Sequence, residues 1–260
     1  MLTFIGIGLS DPDDITVKGL RKLRAADHVY LEGYTSKINA PKDELEQFYE
    51  QDITVAPREQ LEQRHDELLD EAEDEDVVIL VIGDVFSATT HSMIYVEAKQ
   101  RGIDVDIVHN ASILTAVSQT GLQLYTFGKT TSIVYPDEDW LPSTPYHAIK
   151  DNQEHDLHTL CLLDIKADTA GMSNDEDEFM TADEAVNILY DLENKEQDGV
   201  ITDDTPLIVV QDITGPNHAI WSGTMGSIDE FGGDTPLHSI IIPGSMHDME
   251  SEMLSYAVSS

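Results

Sequence analysis

Phe4-Ile5-Gly6-Ile7-Gly8-Leu9-Ser10-Asp11-Pro12-Asp13-Asp14 decides how this chain is to be read. An apolar run that enters a Gly-x-Gly turn is how a dinucleotide-binding α/β fold begins. That fingerprint needs a third glycine for close packing of helix on sheet, and here the position is Asp11. Asp11 brings a side chain where none fits and a negative charge where a phosphate would lie, and Asp13 and Asp14 add to both faults. A Walker-type loop fares no better, since the Gly128-Lys129-Thr130 run has Gln123 where the loop's first glycine belongs. Two readings remain. Gly6 and Gly8 let the chain turn sharply out of its strand, with Asp11 or Asp13 capping a helix from about Asp14-Ile15. Otherwise the turn borders a site for a ligand that is not a polyphosphate and carries positive charge.

Outward from this turn, Val- and Ile-rich runs alternate with helical patterns along the whole chain, the signature of α/β architecture. Strands are predicted at Leu2 to Ile7, His28 to Leu31, Ile53 to Ala56, Val77 to Ile82 and Val105 to Val108. Between them fall helices at Ile15 to Ala26, Pro41 to Tyr49, Glu59 to Glu73 and Thr90 to Gln100. A second series has strands near Ser132 to Tyr135, Thr159 to Asp164, Leu207 to Val210 and Ser239 to Ile242. Its helices are Ser112 to Thr120, Tyr146 to Gln153, Ala182 to Lys195 and Met246 to Ala257. The pattern predicts an N-terminal α/β domain over 1–109 and a C-terminal one over 110–260, joined with almost no linker, so that a cleft at the junction is the expected small-molecule site. The acidic stretch Asp168 to Glu178 lacks periodicity and is expected to be a solvated loop.

The charge balance is extreme. Fifty-one acids against fourteen bases leave a net charge of −37, spread along most of the 260 residues. Such self-repulsion disfavours a compact state at low salt. At 1 M salt the Debye length falls to about 3 Å, so the composition points to the cytoplasm of a salt-accumulating microbe, of haloarchaeal type. It argues against nucleic acid as a partner, because neutralising phosphates takes many Lys and Arg. The apolar run Val77 to Ile82 is far short of the ~20 residues a membrane span needs, and no basic segment precedes the first strand, so a soluble protein with no membrane partner is expected. Cys161, the one cysteine, lies in an apolar run and reads as a core residue.

A second turn sharpens the first. After Val77 to Ile82 comes Gly83-Asp84-Val85-Phe86-Ser87-Ala88-Thr89-Thr90-His91, which puts a carboxylate at the end of a central strand, where open α/β sheets bind ligands. Two acidic turns without phosphate-binding glycines suit S-adenosyl-L-methionine, which carries a sulfonium and an ammonium and no phosphate. Other constellations are weaker. His155 and His158 have a metal-compatible spacing but no third ligand follows, so no metal site is expected. No Gly-x-Ser-x-Gly elbow anchors hydrolase chemistry. Trp140 and Trp221 read as buried area, with Trp140 also a candidate for the rim of a substrate cleft. His91, Asp84 and Tyr34 are candidates for a proton acceptor on position alone, and the catalytic base is left unassigned.

Taken in order, several blocks resemble the diphthine synthases. They are Gly6-Ile7-Gly8-Leu9, Asp14-Ile15-Thr16-Val17-Lys18-Gly19, Tyr34-Thr35-Ser36, Gly83-Asp84 with Ala88-Thr89-Thr90-His91, Gly121-Leu122 with Tyr125 and Phe127-Gly128-Lys129, Leu157 to Leu160 with Leu163 to Ala167, Met180-Thr181-Ala182, Thr202 to Thr205, and Pro243-Gly244 with His247. The resemblance implies two α/β domains of the tetrapyrrole methylase type, with S-adenosyl-L-methionine in the interdomain cleft, S-adenosyl-L-homocysteine as product, and a homodimer. It implies methylation of the amino group of a 3-amino-3-carboxypropyl-histidine on translation elongation factor 2. Carried over by position, the cofactor contacts are Leu9, Asp84, Ser87, Ser112, Ile113, Leu163, Ile213 and His238. The sequence departs from the family pattern where Ile82 and Val85, instead of prolines, flank the Gly-Asp turn. It departs again at Ser87, where an apolar residue is expected, and at Gln211 to Thr214, in place of small residues. The alternatives are another class III methyltransferase, acting on a tetrapyrrole or ribosomal RNA, and a non-catalytic binding module of the same fold.

Overall fold

A computed structural model describes residues 1–137, 140–166 and 177–258. The chain divides into two compact units. One is Met1–Ile113 with the described part of Ile165–Glu178, and the other is Leu114–Asp164 with the described part of Phe179–Ser260.

The first unit runs β1 (Leu2–Gly6), α1 (Val17–Leu23), β2 (His28–Glu32), α2 (Lys42–Tyr49), β3 (Thr54–Ala56), α3 (Arg58–Glu62), α4 (Asp66–Asp74), β4 (Val77–Val81), α5 (Ser92–Gln100) and β5 (Val105–Val108). Its strands form one parallel sheet in the order β3-β2-β4-β1-β5. Because successive side chains point to opposite faces, each strand feeds two cores. Leu2, Phe4, Val77, Ile79 and Val81 pack with Leu68 of α4 and Ile94 and Ala98 of α5. Ile5, Ile7, Val78 and Leu80 pack with Leu23 of α1 and Leu45 and Tyr49 of α2. Burial on both faces is why Val77 to Val81 is apolar without interruption.

The expected helix from Glu59 to Glu73 is two helices. Gln63 leaves helical geometry at φ −124°. The sequence supplies no apolar anchor between Leu61 and Leu68, and His65 is drawn instead to Glu97 of α5, at 2.7 Å. The first helix also starts later than expected. Asp11 caps a short 3-10 turn over Pro12–Asp14, and Thr16 caps α1 by accepting from the Gly19 N–H at 3.0 Å.

The second unit carries α6 (Ile113–Ala116), β6 (Thr131–Ile133), α7 (Thr144–Glu154) and β7 (Thr159–Leu163). The two-stranded ladder of β8 (Ile165–Lys166) and β9 (Glu178–Phe179) comes next in the chain and, but for Phe179, belongs to the first unit. Then come α8 (Ala182–Glu196), β10 (Pro206–Gln211), β11 (Ala219–Thr224), β12 (His238–Ile242) and α9 (Asp248–Ala257). Its sheet has the order β11-β10-β12-β7-β6 and is antiparallel except for the β6-β7 pair. The capping box at Thr181 and Glu184 starts α8, whose Ala185, Ile188, Leu189 and Leu192 pack on Cys161, Val209 and Ile240. Burial pushes the Cys161 thiol pKa up, as suits an inert core residue. Strand β11 was not expected from the sequence: at this sheet edge Trp221, Ser222, Gly223 and Thr224 are not fully buried and mask the period-2 signal. Trp221 packs on the core, but Trp140 is 58% exposed and does not contribute the buried area expected of it. Most of the acidic stretch Asp168 to Glu178 lies outside the described residues. Among the described residues no helix is long and apolar enough to cross a membrane.

Candidate functional site

Strands β1 and β4 are adjacent and parallel, and the helices that follow them, α1 and α5, pack on opposite faces of the sheet. That reversal defines the topological switch point, where open α/β sheets bind ligands at the carboxyl ends of the strands. The two glycine turns lie there and are joined to each other. Gly8 donates its N–H to the Gly83 carbonyl at 3.3 Å, and Gly83 returns the bond to the Gly8 carbonyl at 2.7 Å. Both adopt positive φ, +86° and +84°, which a side chain would penalise. At Gly6 a Cβ would come within 2.7 Å of the Gly83 carbonyl oxygen, so the approach of the turns depends on its absence.

The first turn is already liganded from within. Asp14 Oδ2 accepts the backbone N–H of Ser10 at 2.8 Å and of Leu9 at 3.2 Å. These are the donors that would face a phosphate in a nucleotide fold. The residue that closes the turn to phosphate is thus Asp14, while Asp11 is occupied with its 3-10 cap.

In the second turn Asp84 Oδ1 accepts the Asn110 N–H at 2.9 Å and faces His109 Nδ1 at 2.9 Å, and Ser87 Oγ donates to Oδ2 at 3.0 Å. Burial by itself would raise the Asp84 pKa, but the bonds from Asn110, His109 and Ser87 outweigh it and hold the carboxyl below its ordinary range. Asp84 is therefore an anion at neutral pH and a poor proton acceptor. The Gly83 turn also gathers the apolar wall: an ideal Cβ at Gly83 would lie 3.8 Å from Leu9 Cδ2 and 3.9 Å from Ser112 Cα. Leu9, Asp84, Ser87 and Ser112 come together in this way, with Ile113 next in the chain.

Asn110 is the residue that sequence reasoning missed. Its amide nitrogen donates to the Gly6 carbonyl at 3.0 Å and to the Asp14 carbonyl at 2.9 Å, while its backbone N–H serves Asp84. The signal was a lone amide just after β5, in line with both turns.

In the second unit Leu163 ends β7, His238 starts β12 opposite Gln211 of β10, and Ile213 follows two residues later. The sheet thus brings these three expected contacts to one end. Ile213 is held between two non-glycine residues at positive φ, Asp212 (+43°) and Thr214 (+70°), and strain of this kind clusters at functional sites. The His238 ring is committed within the unit: Nδ1 accepts the Ala182 N–H at 3.1 Å and Nε2 faces Gln211 Oε1 at 3.2 Å. Burial lowers its pKa, so the ring is neutral at pH 7. Any contact His238 makes with a ligand falls to its backbone.

The other candidate proton acceptors are buried. His91 Nε2 lies 3.1 Å from Glu32 Oε2, and Tyr34 is enclosed with the Arg58 guanidinium 5.0 Å above its ring. The two histidines at metal-compatible spacing are used separately. His155 Nδ1 meets the Asp151 carbonyl, while His158 is buried between the Gly244 N–H and Glu250.

A cation without phosphate fits these turns. The N–H groups that would welcome an anion are taken by Asp14, an anionic carboxylate is fixed at Asp84, and Leu9 supplies an apolar wall. The comparisons agree. Residues 1–229 match the Tetrapyrrole (Corrin/Porphyrin) Methylases, and the chain belongs to that family. Its relatives narrow the class. It is 42% identical over 257 residues to a diphthine synthase of Methanocaldococcus jannaschii, with 98% of each chain covered. It is 40% identical over 268 residues to a diphthine methyl ester synthase of Homo sapiens, covering 98% of this chain and 94% of that one. A crystal structure of a diphthine synthase superposes with TM-score 0.87 at 33% identity, over 99% of this chain and 95% of the other. The protein is an S-adenosyl-L-methionine-dependent methyltransferase of the diphthine synthase group.

Proposed function

We propose that this chain methylates the amino group of 3-amino-3-carboxypropyl-histidine on translation elongation factor 2, with S-adenosyl-L-methionine as donor and S-adenosyl-L-homocysteine as product. The observation that carries the reading is the pair of joined turns: one closed to phosphate by Asp14, the other presenting an anionic Asp84. Near-full-length similarity to proteins named for diphthine chemistry supports the choice of substrate.

In the first unit Leu9, Asp84, Ser87, Ser112 and Ile113 would contact the cofactor; in the second, the expected contacts are Leu163, Ile213 and the His238 backbone. When bound, the cofactor supplies a methyl group on a sulfonium, a good leaving group. What remains for the protein is to align the amine, exclude water and receive it uncharged. Asp84, with its lowered pKa, serves as a fixed charge and not as the base. The enzyme acts as a homodimer in the cytoplasm of a salt-accumulating organism. Its encounter with an acidic elongation factor tightens as salt screens their repulsion.

The test is mass spectrometry of elongation factor 2 carrying the unmethylated intermediate, after incubation with this protein and the donor in molar salt. Mass gains in multiples of a methyl group at that histidine are expected, and no gain overturns the proposal. Mild base treatment of the product distinguishes the two names its relatives carry, since a methyl ester is hydrolysed and N-methyl groups are not.

A further inference from the structure

The loop from Gly83 to His91 carries Asp84 and Ser87, and the structure fixes it at both ends. Its front is held by Asp84 through His109 and Asn110. Its rear is held by His91, whose Nε2 lies 3.1 Å from Glu32 Oε2, with both side chains fully buried. The other oxygen of Glu32 accepts the Thr35 N–H at 2.7 Å and the Tyr34 N–H at 3.4 Å. One carboxylate at the end of β2 thus ties the first residues after its own strand to the last residue of the neighbouring loop. The imidazole stacks beside the Phe4 ring of β1, with centroids 6.5 Å apart, and its Nδ1 is buried with no partner among the described residues. Between the anchors, Ala88 sits at φ +62°, and Thr89 Oγ1 donates back to the Val85 carbonyl at 2.7 Å.

Neither feature is what stability alone would choose. A buried hydrogen-bonded pair gives back in desolvation much of what its bond contributes, and replacing both partners by apolar groups of similar shape is nearly neutral or stabilising. A non-glycine residue at positive φ persists only where its surroundings over-determine it. Both occur on the loop that bears two expected cofactor contacts.

We propose that Glu32 and His91 are positioning residues. They clamp the rear of this loop so that Asp84 and Ser87 meet the cofactor in a fixed arrangement. The proposal rests on the reading that those two residues contact the cofactor.

The test compares wild type with three variants: Glu32→Met/His91→Leu, Glu32→Gln/His91→Gln and Ala88→Gly. Affinity for S-adenosyl-L-homocysteine is measured by calorimetry in molar salt, beside the thermal midpoint. The apolar pair is expected to keep a cooperative melt while its affinity falls by about tenfold or more, since small misplacements of binding groups are costly. KM for the donor should rise more than kcat falls. The amide pair, which can still bond Thr35 and bridge the two positions, should restore most of the affinity. Ala88→Gly, which relieves the strain and loosens the loop, should weaken binding about threefold without loss of fold. Wild-type affinity in the apolar pair overturns the proposal. So does wild-type affinity in Ala88→Gly, should the apolar pair fail to fold. No binding by wild type strikes the underlying cofactor reading instead.

Discussion

Among the described residues two histidine-glutamate pairs are buried, one in each unit, and they are built differently. In the second unit His158 Nδ1 accepts the Gly244 N–H at 2.9 Å and Nε2 faces Glu250 Oε1 at 3.3 Å. Glu250 also accepts from the Gln123 and His247 N–H groups and from Thr126 Oγ1. Every polar atom of that pair is used, and the network fastens α9 to the residue just before β7. In the first unit His91 leaves Nδ1 unpartnered, and its pair borders a strained loop. A saturated network does the work of a staple, while an incomplete one beside strain marks a place where geometry is held for another purpose.

The largest effect should come from breaking the staple. Glu250→Ala leaves the His158 ring and the Gln123 and His247 N–H groups without their acceptor, and is expected to cost roughly 3–5 kcal/mol, at about 1–3 kcal/mol for each buried donor left unpaired. Denaturant unfolding measures the loss. Affinity of the folded fraction for S-adenosyl-L-homocysteine should be unchanged, and a large affinity loss there would erase the distinction between the pairs. Asp84→Asn should invert the pattern: affinity falls about tenfold, equivalent to about 1.4 kcal/mol, with a small change in thermal midpoint. Calorimetry and a melting curve on the same sample decide it.

Acid should act on the second unit next, through two of its buried groups. For Glu250, burial raises the pKa, but the N–H groups of Gln123 and His247 and the His158 ring outweigh it, so the folded value is depressed. Its contribution is complete above the ordinary glutamate pKa of about 4.3 and disappears as pH falls through the lower folded value. His238 acts at milder pH. Its folded pKa is lowered by burial, so the unfolded chain takes up the proton first, and stability declines as pH drops below about 6.5. His238→Gln should flatten stability between pH 7 and pH 5, as read from denaturant midpoints. The smallest effect concerns salt. Raising KCl should stabilise the whole chain by screening its net charge of −37. Both buried pairs are shielded from that screening, so wild type and the apolar Glu32→Met/His91→Leu variant should gain equally in a salt series of melts.

Much of this was legible in the sequence because it was local. Periodicity placed the strands of the parallel sheet within a residue or two, and the two glycine turns fall where expected, at the carboxyl ends of β1 and β4. Long-range contacts were illegible. Nothing near Asn110 announces that its side chain reaches Gly6, 104 residues away, or Asp14, 96 residues away. Asp11 looked like the obstacle to phosphate because it fills the third glycine's place, yet folding turned Asp14 onto the turn instead. The break after α3 escaped notice because acidic residues on both sides of it favour helix, and only the reach of His65 to Glu97 decides against a continuous one. Strand β11 lies at a sheet edge, where half-exposed residues weaken the alternation.

The Asp14 carboxylate on the first turn has a consequence for selectivity in a crowded cell. ATP and NAD share an adenosine with S-adenosyl-L-methionine and differ from it in charge. A polyphosphate seeking the Leu9 and Ser10 N–H groups must displace an anion tethered four residues from Ser10, which reaches them within the same chain. On the proposed cofactor site, the turn would act as a charge filter that the protein carries within itself, disfavouring polyphosphate adenosine compounds as competitors.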